Sequence, residues 1–423
     1  QTAYTGASGA HSTSATLGSG NVLAGSVLVS SLDKTSVSNN AGSVAGGAFG
    51  GVSAGVAITQ LGGANNASIA VGTLSTQGNV TVDSGERAAD DTQPTVSSRA
   101  ISGSGGFVGV GAAVSVASNE TASTASIAGQ VYAGGAVSVT ARDEATMSSE
   151  AYGASVGAVS VGVVVATAEQ KGSVGTSASG TLMGVGVSLN AERLGQVNSR
   201  AVGGSAGVAA GSGAGATASD SGTVSVSLGN SLVINGQSGD VNISARSYPG
   251  ATSNAIGVAV ASGAAVGVSI SQASTSTDVL VSGGTGLSIT GANVNINATL
   301  GGGNSTLSST AISGGGALLV GATGADARAI HGGSAKVNLL SSLTLNTTGD
   351  VAIGSSGGMT VHSSSTGVAV GFVGIGVALA RSESTNTVET KLLNVQGHVK
   401  GSMSVTASGN DTIDSKSVAG AGG

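Results

Sequence analysis

The residues best suited to chemistry in this sequence are three clusters of acidic side chains. Charged residues make up only 8% of the 423 residues, so the grouping of acids is unusual for this chain. Each cluster follows a short aliphatic segment and would lie on one edge of a stack of equivalent strands. Carboxylates and carbonyls on such an edge could hold Ca²⁺, which prefers oxygen ligands. The candidate calcium ligands are Asp83, Glu86, Asp90 and Asp91, then Asp143 and Glu144, then Asp411 and Asp414.

A solvated charged rim is the competing interpretation of the same acids. Arg87, Arg142 and Lys416 lie among them, as in an exposed surface of mixed charge. The Gly-Gly-x-Gly-x-Asp repeat that builds calcium-binding solenoids is absent. We therefore favour the rim, keep calcium as the alternative, and expect no other cofactor.

The remaining residue types form no catalytic pattern. The chain has no cysteine, no His-Glu-x-x-His metal motif and no Gly-x-Ser-x-Gly elbow between a strand and a helix. Glycine-rich runs such as 103–109 lack the following helix that a dinucleotide loop must open. We therefore expect no enzyme. The histidines are scattered, and we expect them on the solvated surface: His11, His331, His362 and His398.

Composition excludes several classes of protein. The chain contains 75 Gly and 40% hydrophobic residues, whereas disordered chains are poor in hydrophobic residues. Collagen needs abundant proline, and this chain has two. The net charge of −6 provides no basic surface for nucleic acid. Aromatic residues are 2% of the chain, so the aromatic belts of membrane proteins are missing and we expect no membrane-spanning architecture.

An aliphatic-x-aliphatic motif recurs through the sequence at a period near 54 residues. Its spacing runs from 50 residues, between Val137 and Val187, to 57 residues, between Val80 and Val137. Between these motifs, apolar segments such as 256–270 alternate branched aliphatic residues with Gly, Ala and Ser. A period of two indicates strands, because successive side chains point to opposite faces. The eight repeats start near Val27, Val80, Val137, Val187, Val241, Val294, Val351 and Met403.

These features predict an all-β fold, a β-solenoid of stacked wide coils or β-arches with parallel sheets. One coil per repeat is favoured over two shorter coils. In each arch two strands face one another, and we expect the branched positions to fill the arch and the bare face to support lateral contact between rods. A charged residue in place of Gly371 or Gly376 should disrupt either the packing of the arch or the lateral contact between rods. Three aromatic residues fall at similar repeat positions and are expected to plug a wider point of the arch: Phe49, Phe107 and Phe372.

The ends of the chain resemble interrupted repeats. Residues 417–423 begin an apolar run, and residues 9–25 resemble the closing half of a repeat. We therefore expect one continuous array over 1–423 without the polar caps that solenoids usually need. Either the array is a segment of a longer one, or subunits join end to end through Gly423 and Gln1.

The order of residues within a repeat resembles that of very large secreted bacterial adhesins. These are the filamentous-haemagglutinin-like and leukotoxin-type filamentous adhesins. The matching segments are GGFVGVGAAVSVASN (105–119), TASI (124–127) and VSVTA (137–141). The resemblance covers nearly the whole chain, but the middle run of the fourth copy (204–219) departs from it in being almost entirely small residues. It implies an exported β-solenoid fibre at the bacterial cell surface.

The leading functional hypothesis is a structural subunit or segment of an extracellular or cell-surface filament or giant adhesin, which supports attachment, aggregation or biofilm. Its partners would be other copies, end to end or laterally, and a host or neighbouring cell surface. The alternative is a surface- or glycan-binding module of an adhesin stalk, although aromatic platforms are scarce. A β-helix enzyme acting on polysaccharides is a weaker alternative, because it needs clustered acids and bases in a cleft.

Overall fold

The computed structural model describes residues 1–86 and 93–423, and of residues 303 and 304 only the backbone. Across this part of the chain the fold is a parallel β-solenoid of thirty strands without helices, so the predicted fold class is confirmed. No helix in the described ranges is long and apolar enough to cross a membrane.

The strands are numbered in chain order. They are β1 (Thr2–Ala10), β2 (Thr13–Gly18), β3 (Asn21–Ala24), β4 (Val27–Asp33), β5 (Val37–Gly46), β6 (Gly50–Gly62), β7 (Ala64–Thr76), β8 (Val80–Glu86), β9 (Thr95–Gly105), β10 (Val108–Asn119), β11 (Ala122–Ala133), β12 (Val137–Asp143), β13 (Thr146–Val156), β14 (Val159–Gln170), β15 (Ser173–Met183), β16 (Val187–Arg193), β17 (Gln196–Leu228), β18 (Val233–Asn235), β19 (Val241–Ser247), β20 (Gly250–Gly283), β21 (Leu287–Gly291), β22 (Val294–Ala317), β23 (Val320–Leu339), β24 (Leu343–Thr347), β25 (Val351–Val370), β26 (Val373–Ser384), β27 (Thr387–Leu392), β28 (Val395–Val399), β29 (Met403–Gly409) and β30 (Thr412–Gly422).

Equivalent strands of successive repeats form four parallel stacks. Stack 1 holds the strands that start the repeats, such as β8, β12 and β16. Stacks 2 and 3 hold the two strands of the arch, such as β9 and β13 in stack 2 and β10 and β14 in stack 3. Stack 4 closes each coil, as β7, β11 and β15 do. In the later coils one long strand, such as β17 or β20, supplies several stacks in turn.

The register shows that each repeat forms one coil, which is the favoured alternative. The first residue of each repeat pairs with the first residue of the next, and the offset along the chain is one repeat. This pairing runs through Val27, Val80, Val137, Val187, Val241, Val294, Val351 and Met403.

Stacks 1 and 4 face one another across the main aliphatic core. Val80, Val82, Ile69 and Leu74 are fully buried in it, and the same arrangement recurs from coil to coil. β-Branched residues suit such pleated, half-buried surfaces. At Gly129 the backbone bends with a φ of 112°, and a Cβ there would lie 1.9 Å from the Val71 oxygen, so only glycine fits this corner.

Stacks 2 and 3 form a thin arch whose interior is built mostly from small residues, with larger ones such as Val96 mainly at its base. Ala57, Ala100 and Ala113 are fully buried in one cluster. The Ser98 hydroxyl donates to the Ala57 carbonyl oxygen of the facing strand at 3.0 Å. Sheets with ordinary side chains pack about 10 Å apart, whereas a direct hydrogen bond from a serine side chain to the facing backbone requires a closer approach.

Candidate functional site

A row of buried polar side chains runs along the solenoid axis where the ends of stacks 1 and 3 meet. Parallel register places the last residues of the stack 1 strands in one column: Asp33, Glu86, Asp143 and Arg193. The facing column lies at the end of stack 3, where Asn119 and Gln170 end β10 and β14 and Asp220 pairs with Gln170 within the longer β17.

Three of the four members of the first column bond to the member opposite them: Glu86, Asp143 and Arg193. Asn119 Nδ2 donates to Glu86 Oε2 at 2.9 Å, and Gln170 Nε2 donates to Asp143 Oδ2 at 2.8 Å. In the next coil, Arg193 Nη2 lies 2.6 Å from Asp220 Oδ1. Both side chains of this ion pair are 1% exposed, so the pair is almost completely withdrawn from water.

Arg193 is the cation of this row. Its Nη1 also donates to the Ser221 carbonyl oxygen at 3.0 Å, and its Nε lies 4.0 Å from Asp143 Oδ2. One guanidinium thus serves two buried carboxylates and a backbone carbonyl. Arginine suits this role because it stays charged and presents several donors in a fixed plane.

Burial changes the protonation of the acids in the row. It raises the pKa of Glu86 well above its ordinary value, and the nearby charge of Asp143 raises it further. It also raises the pKa of Asp143, although the charge of Arg193 opposes this. For Asp220, burial raises the pKa to about 6 against the opposing effect of Arg193.

These shifts predict that the buried acids stabilise the chain more in mild acid than at neutral pH. The lowered pKa of the buried His331 acts in the opposite direction, and we expect the three acids to outweigh this one imidazole. A folded-state pKa above the unfolded value means that the folded chain binds the proton more tightly. The stabilisation from Asp220 is therefore fully present below about pH 4 and is lost as the pH rises towards about 6. We expect the urea midpoint to rise as the pH falls from about 7 to about 4. A smaller rise in Asp220→Asn would support this origin, and a fall in the parent chain would contradict it.

The predicted calcium ligands are dispersed by the fold. Glu86 and Asp143 lie in the interior rather than on a solvated edge, and Glu144 is buried beside Arg142, at 2.7 Å. Asp83 is half-buried in β8, and Asp90 and Asp91 lie outside the described residues. Over the described ranges, no group of three or more His, Cys, Asp or Glu side chains could hold a metal ion. Calcium binding therefore stays a prediction without a described ligand set.

The third predicted cluster separates into two environments. Asp414 Oδ2 lies 3.0 Å from His362 Nδ1 on the surface. Asp411 instead accepts a hydrogen bond from Ser384 Oγ at 2.6 Å and one from the Met359 backbone nitrogen at 3.0 Å. Asp411 therefore anchors the last turns of the solenoid.

His331 corrects the expectation of a surface histidine, because it is fully buried. Its Nδ1 is 2.7 Å from Thr275 Oγ1, and its Nε2 is 3.4 Å from Asn386 Nδ2. Burial lowers its pKa, although Asp411 acts in the opposite direction. His331 continues the same polar row, because it pairs in register with Thr275.

The inward and outward faces of the arch strands are the reverse of those expected. In β20, Ile256, Val258 and Val260 point outward, and Val258 and Val260 are 41% and 55% exposed. Gly257 lies inside, where a Cβ would come within 2.6 Å of the Val268 oxygen. The prediction that the branched residues of this segment fill the arch is wrong, because its strands are too close there to admit them. Fully buried branched residues do occur elsewhere in the arch, as at Val164.

The three phenylalanines lie outside the arch, so their predicted role as plugs is wrong. Phe49, Phe107 and Phe372 are 91%, 63% and 85% exposed at the tip, where stack 2 turns into stack 3. The tip has no void to fill, since a Cβ on Gly106 would come within 2.4 Å of the Gly47 oxygen.

Removing one of these rings should cost little stability. We expect Phe372→Ser to change the free energy of unfolding by no more than about 0.5 kcal/mol, as for other surface substitutions. Urea unfolding followed by circular dichroism measures this change. A loss of several kcal/mol would restore the plug hypothesis.

The residues predicted for assembly lie at the two terminal coils. The Gln1 ammonium donates to the Val52 oxygen at 2.8 Å, and Gly423 lies beside Phe372. Gly371 is buried at the last tip, and a Cβ on Gly376 would lie 2.6 Å from the Gly420 oxygen. Side chains at these two glycines would therefore press on backbone inside the arch.

Sequence reasoning missed a ladder of charges on the outer side of stack 2. Arg99, Glu150 and Arg200 pair in register, and Arg99 Nε lies 3.7 Å from Glu150 Oε2. The guanidinium carbons of Arg99 and Arg200 lie 5.2 and 6.0 Å from the centre of the Tyr152 ring. Alignment of the repeats could have revealed this ladder, because the three charges share one repeat position.

The described site is therefore a set of buried polar contacts and exposed apolar surfaces that can hold a fold together and meet other surfaces. Comparison with family models, curated proteins and solved structures found no match to this chain.

Proposed function

We propose that this chain is a structural segment of an extracellular or cell-surface β-solenoid filament or giant adhesin, which supports bacterial attachment, aggregation or biofilm. The observation that carries the proposal is the continuous parallel register, in which each repeat start pairs with the next from Val27 to Met403. A chain whose coils contact only their neighbours extends in one dimension and separates its two ends.

The polar row supports a role in which rigidity matters. Its bonds join stack 1 to stack 3 within a coil. Arg193 also links successive coils, because its Nη1 donates to the Gly172 carbonyl oxygen of the preceding coil at 3.3 Å. Buried hydrogen bonds and ion pairs favour one arrangement of the groups that they join. In a stalk, such a network would hold successive coils in one register.

Antibody labelling of intact cells and deletion of the gene together test this proposal. Antibodies raised against the purified chain should label intact cells of the source organism, and deletion of the gene should reduce their attachment or aggregation. A deletion strain complemented with the full gene serves as the control. Labelling that requires cell lysis, or unchanged attachment and aggregation after deletion, would contradict the proposal.

A further inference from the structure

The outward side of stack 3 is a large apolar surface that no other part of the described chain covers. We call it the valine flank and define it by the outward side chains of its register-matched segments. In coil 3 its members are Val159, Val161, Val163 and Val165, which are 45%, 41%, 47% and 39% exposed. The segments are 50–56, 108–114, 159–165, 209–215, 264–270, 320–326 and 373–379.

The valine flank is almost free of charge. Across its seven segments Asp326 is the one ionisable residue, and Arg328 Nη2 pairs with it at 2.7 Å. Six of the seven segments can face a partner in the two-fold contact described below, and six strands at about 4.8 Å with four outward residues each give a face of roughly 25 Å by 29 Å, or about 700 Å². That is close to the area that each partner buries in a typical specific interface, about 800 Å².

The flank is also corrugated in a way that fits a copy of itself. Segment 209–215 presents Ala209, Gly211, Gly213 and Gly215 and forms a groove. Ridges of branched residues border it, 159–165 on one side and 264–270 on the other. A two-fold axis parallel to the strands would place the ridge 264–270 of each copy in the groove 209–215 of the other. This contact is isologous and closed, and both copies share the same axial spacing.

The fold does not require the glycines of this groove. A Cβ on Gly211 would meet no atom within 4 Å, and a Cβ on Gly213 would make only ordinary contacts, with Val163 Cγ2 at 3.9 Å and the Gly162 oxygen at 4.0 Å. Neither glycine has a positive φ. Glycine weakens a strand because it has no side chain to pack. Glycines that the packing of the interior does not require therefore indicate that this outer face contacts another surface.

We propose that the valine flank binds the same flank of a second copy of this chain, with the 264–270 ridge of each copy in the 209–215 groove of the other. This inference rests on the proposed structural role, for which it supplies the lateral contact. A lipid surface needs no groove of matching period, so the corrugation favours a second copy.

A matched pair of glycine variants tests the contact in the full chain. Gly211→Val fills the groove, and Gly204→Val adds the same side chain on the outer side of stack 2 in the same coil. A Cβ at either position meets no atom within 4 Å, so neither variant should lower the melting temperature. Sedimentation equilibrium should show a dimer of the parent chain and of Gly204→Val. For Gly211→Val we expect a dissociation constant at least about tenfold higher, because the valine blocks the ridge of the partner.

Three results would overturn the proposal. The first is a parent chain that stays monomeric to high micromolar concentration. The second is that both variants weaken the dimer equally, or that neither weakens it, because a dimer joined through the end strands would not involve Gly211. The third is flotation of the monomer with phosphatidylcholine vesicles that Gly211→Val abolishes, which would assign the flank to lipid. If the chain is monomeric but antibodies against it still label intact cells, the proposed structural role stands. The two proposals therefore fail separately.

Discussion

Replacement of Arg193 by methionine is expected to destabilise the chain by about 3–5 kcal/mol, as observed when one partner of a buried ion pair is removed. Methionine keeps much of the volume but leaves Asp220 and Asp143 buried without their cation. It also leaves the Ser221 carbonyl oxygen without its guanidinium donor. Urea unfolding at neutral pH, followed by far-ultraviolet circular dichroism, measures the loss.

Two further variants show whether the buried charge is responsible. Asp220→Asn combined with Arg193→Met should recover part of the lost stability, because one uncompensated carboxylate is removed. Arg328→Met removes an arginine whose ion pair with Asp326 is exposed, and it should leave the unfolding midpoint nearly unchanged. A loss of less than about 1 kcal/mol in Arg193→Met would contradict the role assigned to the buried pair.

Two neighbouring residues of β20 should respond to substitution in opposite ways. Ala255 lies inside the arch and is fully buried, whereas Ile256 points outward. Ala255→Leu should cost about 3 kcal/mol, because the facing strands leave no space for the added atoms. Ile256→Ala should cost less, about 1 kcal/mol, since its half-buried side chain lies on the outer face, where its removal leaves no enclosed cavity.

The order of these two effects decides which face of the strand fills the arch. If branched residues filled it, Ile256→Ala would open a cavity and would be the costlier variant. Each variant is compared with the parent chain by urea unfolding under the same conditions. Equal costs would mean that the arch is loose enough to adjust to either change.

The sequence predicted the coil but not its interior. The aliphatic-x-aliphatic motif located the strands that pair from Val80 to Val137 and onwards, because a repeated period implies stacked equivalents. Alternation showed that Val258 and Gly257 lie on opposite faces. It could not show which face meets the other strand of the arch, because that depends on how closely the two backbones approach.

Sequence patterns could not predict the buried polar row, because it also depends on contacts between strands that are distant in sequence. Glu86 and Asp143 follow aliphatic segments, and acids in such positions are usually solvated. Their burial depends on Asn119 and Gln170, which come 33 and 27 residues later and meet them only after the coil closes. His331 is likewise buried by partners from other coils, Thr275 and Asn386.

A distance between two spin labels tests most directly whether each repeat forms one coil. The chain has no cysteine, so Leu28→Cys and Ser404→Cys place labels at equivalent exposed positions of the first and last strands of stack 1. These positions are separated by seven coil steps, so pulsed electron paramagnetic resonance should give a distance of about 34 Å. The pair Thr81→Cys and Ala352→Cys, five steps apart, should give about 24 Å. Distances near twice these values would mean two coils per repeat and would contradict the solenoid described above.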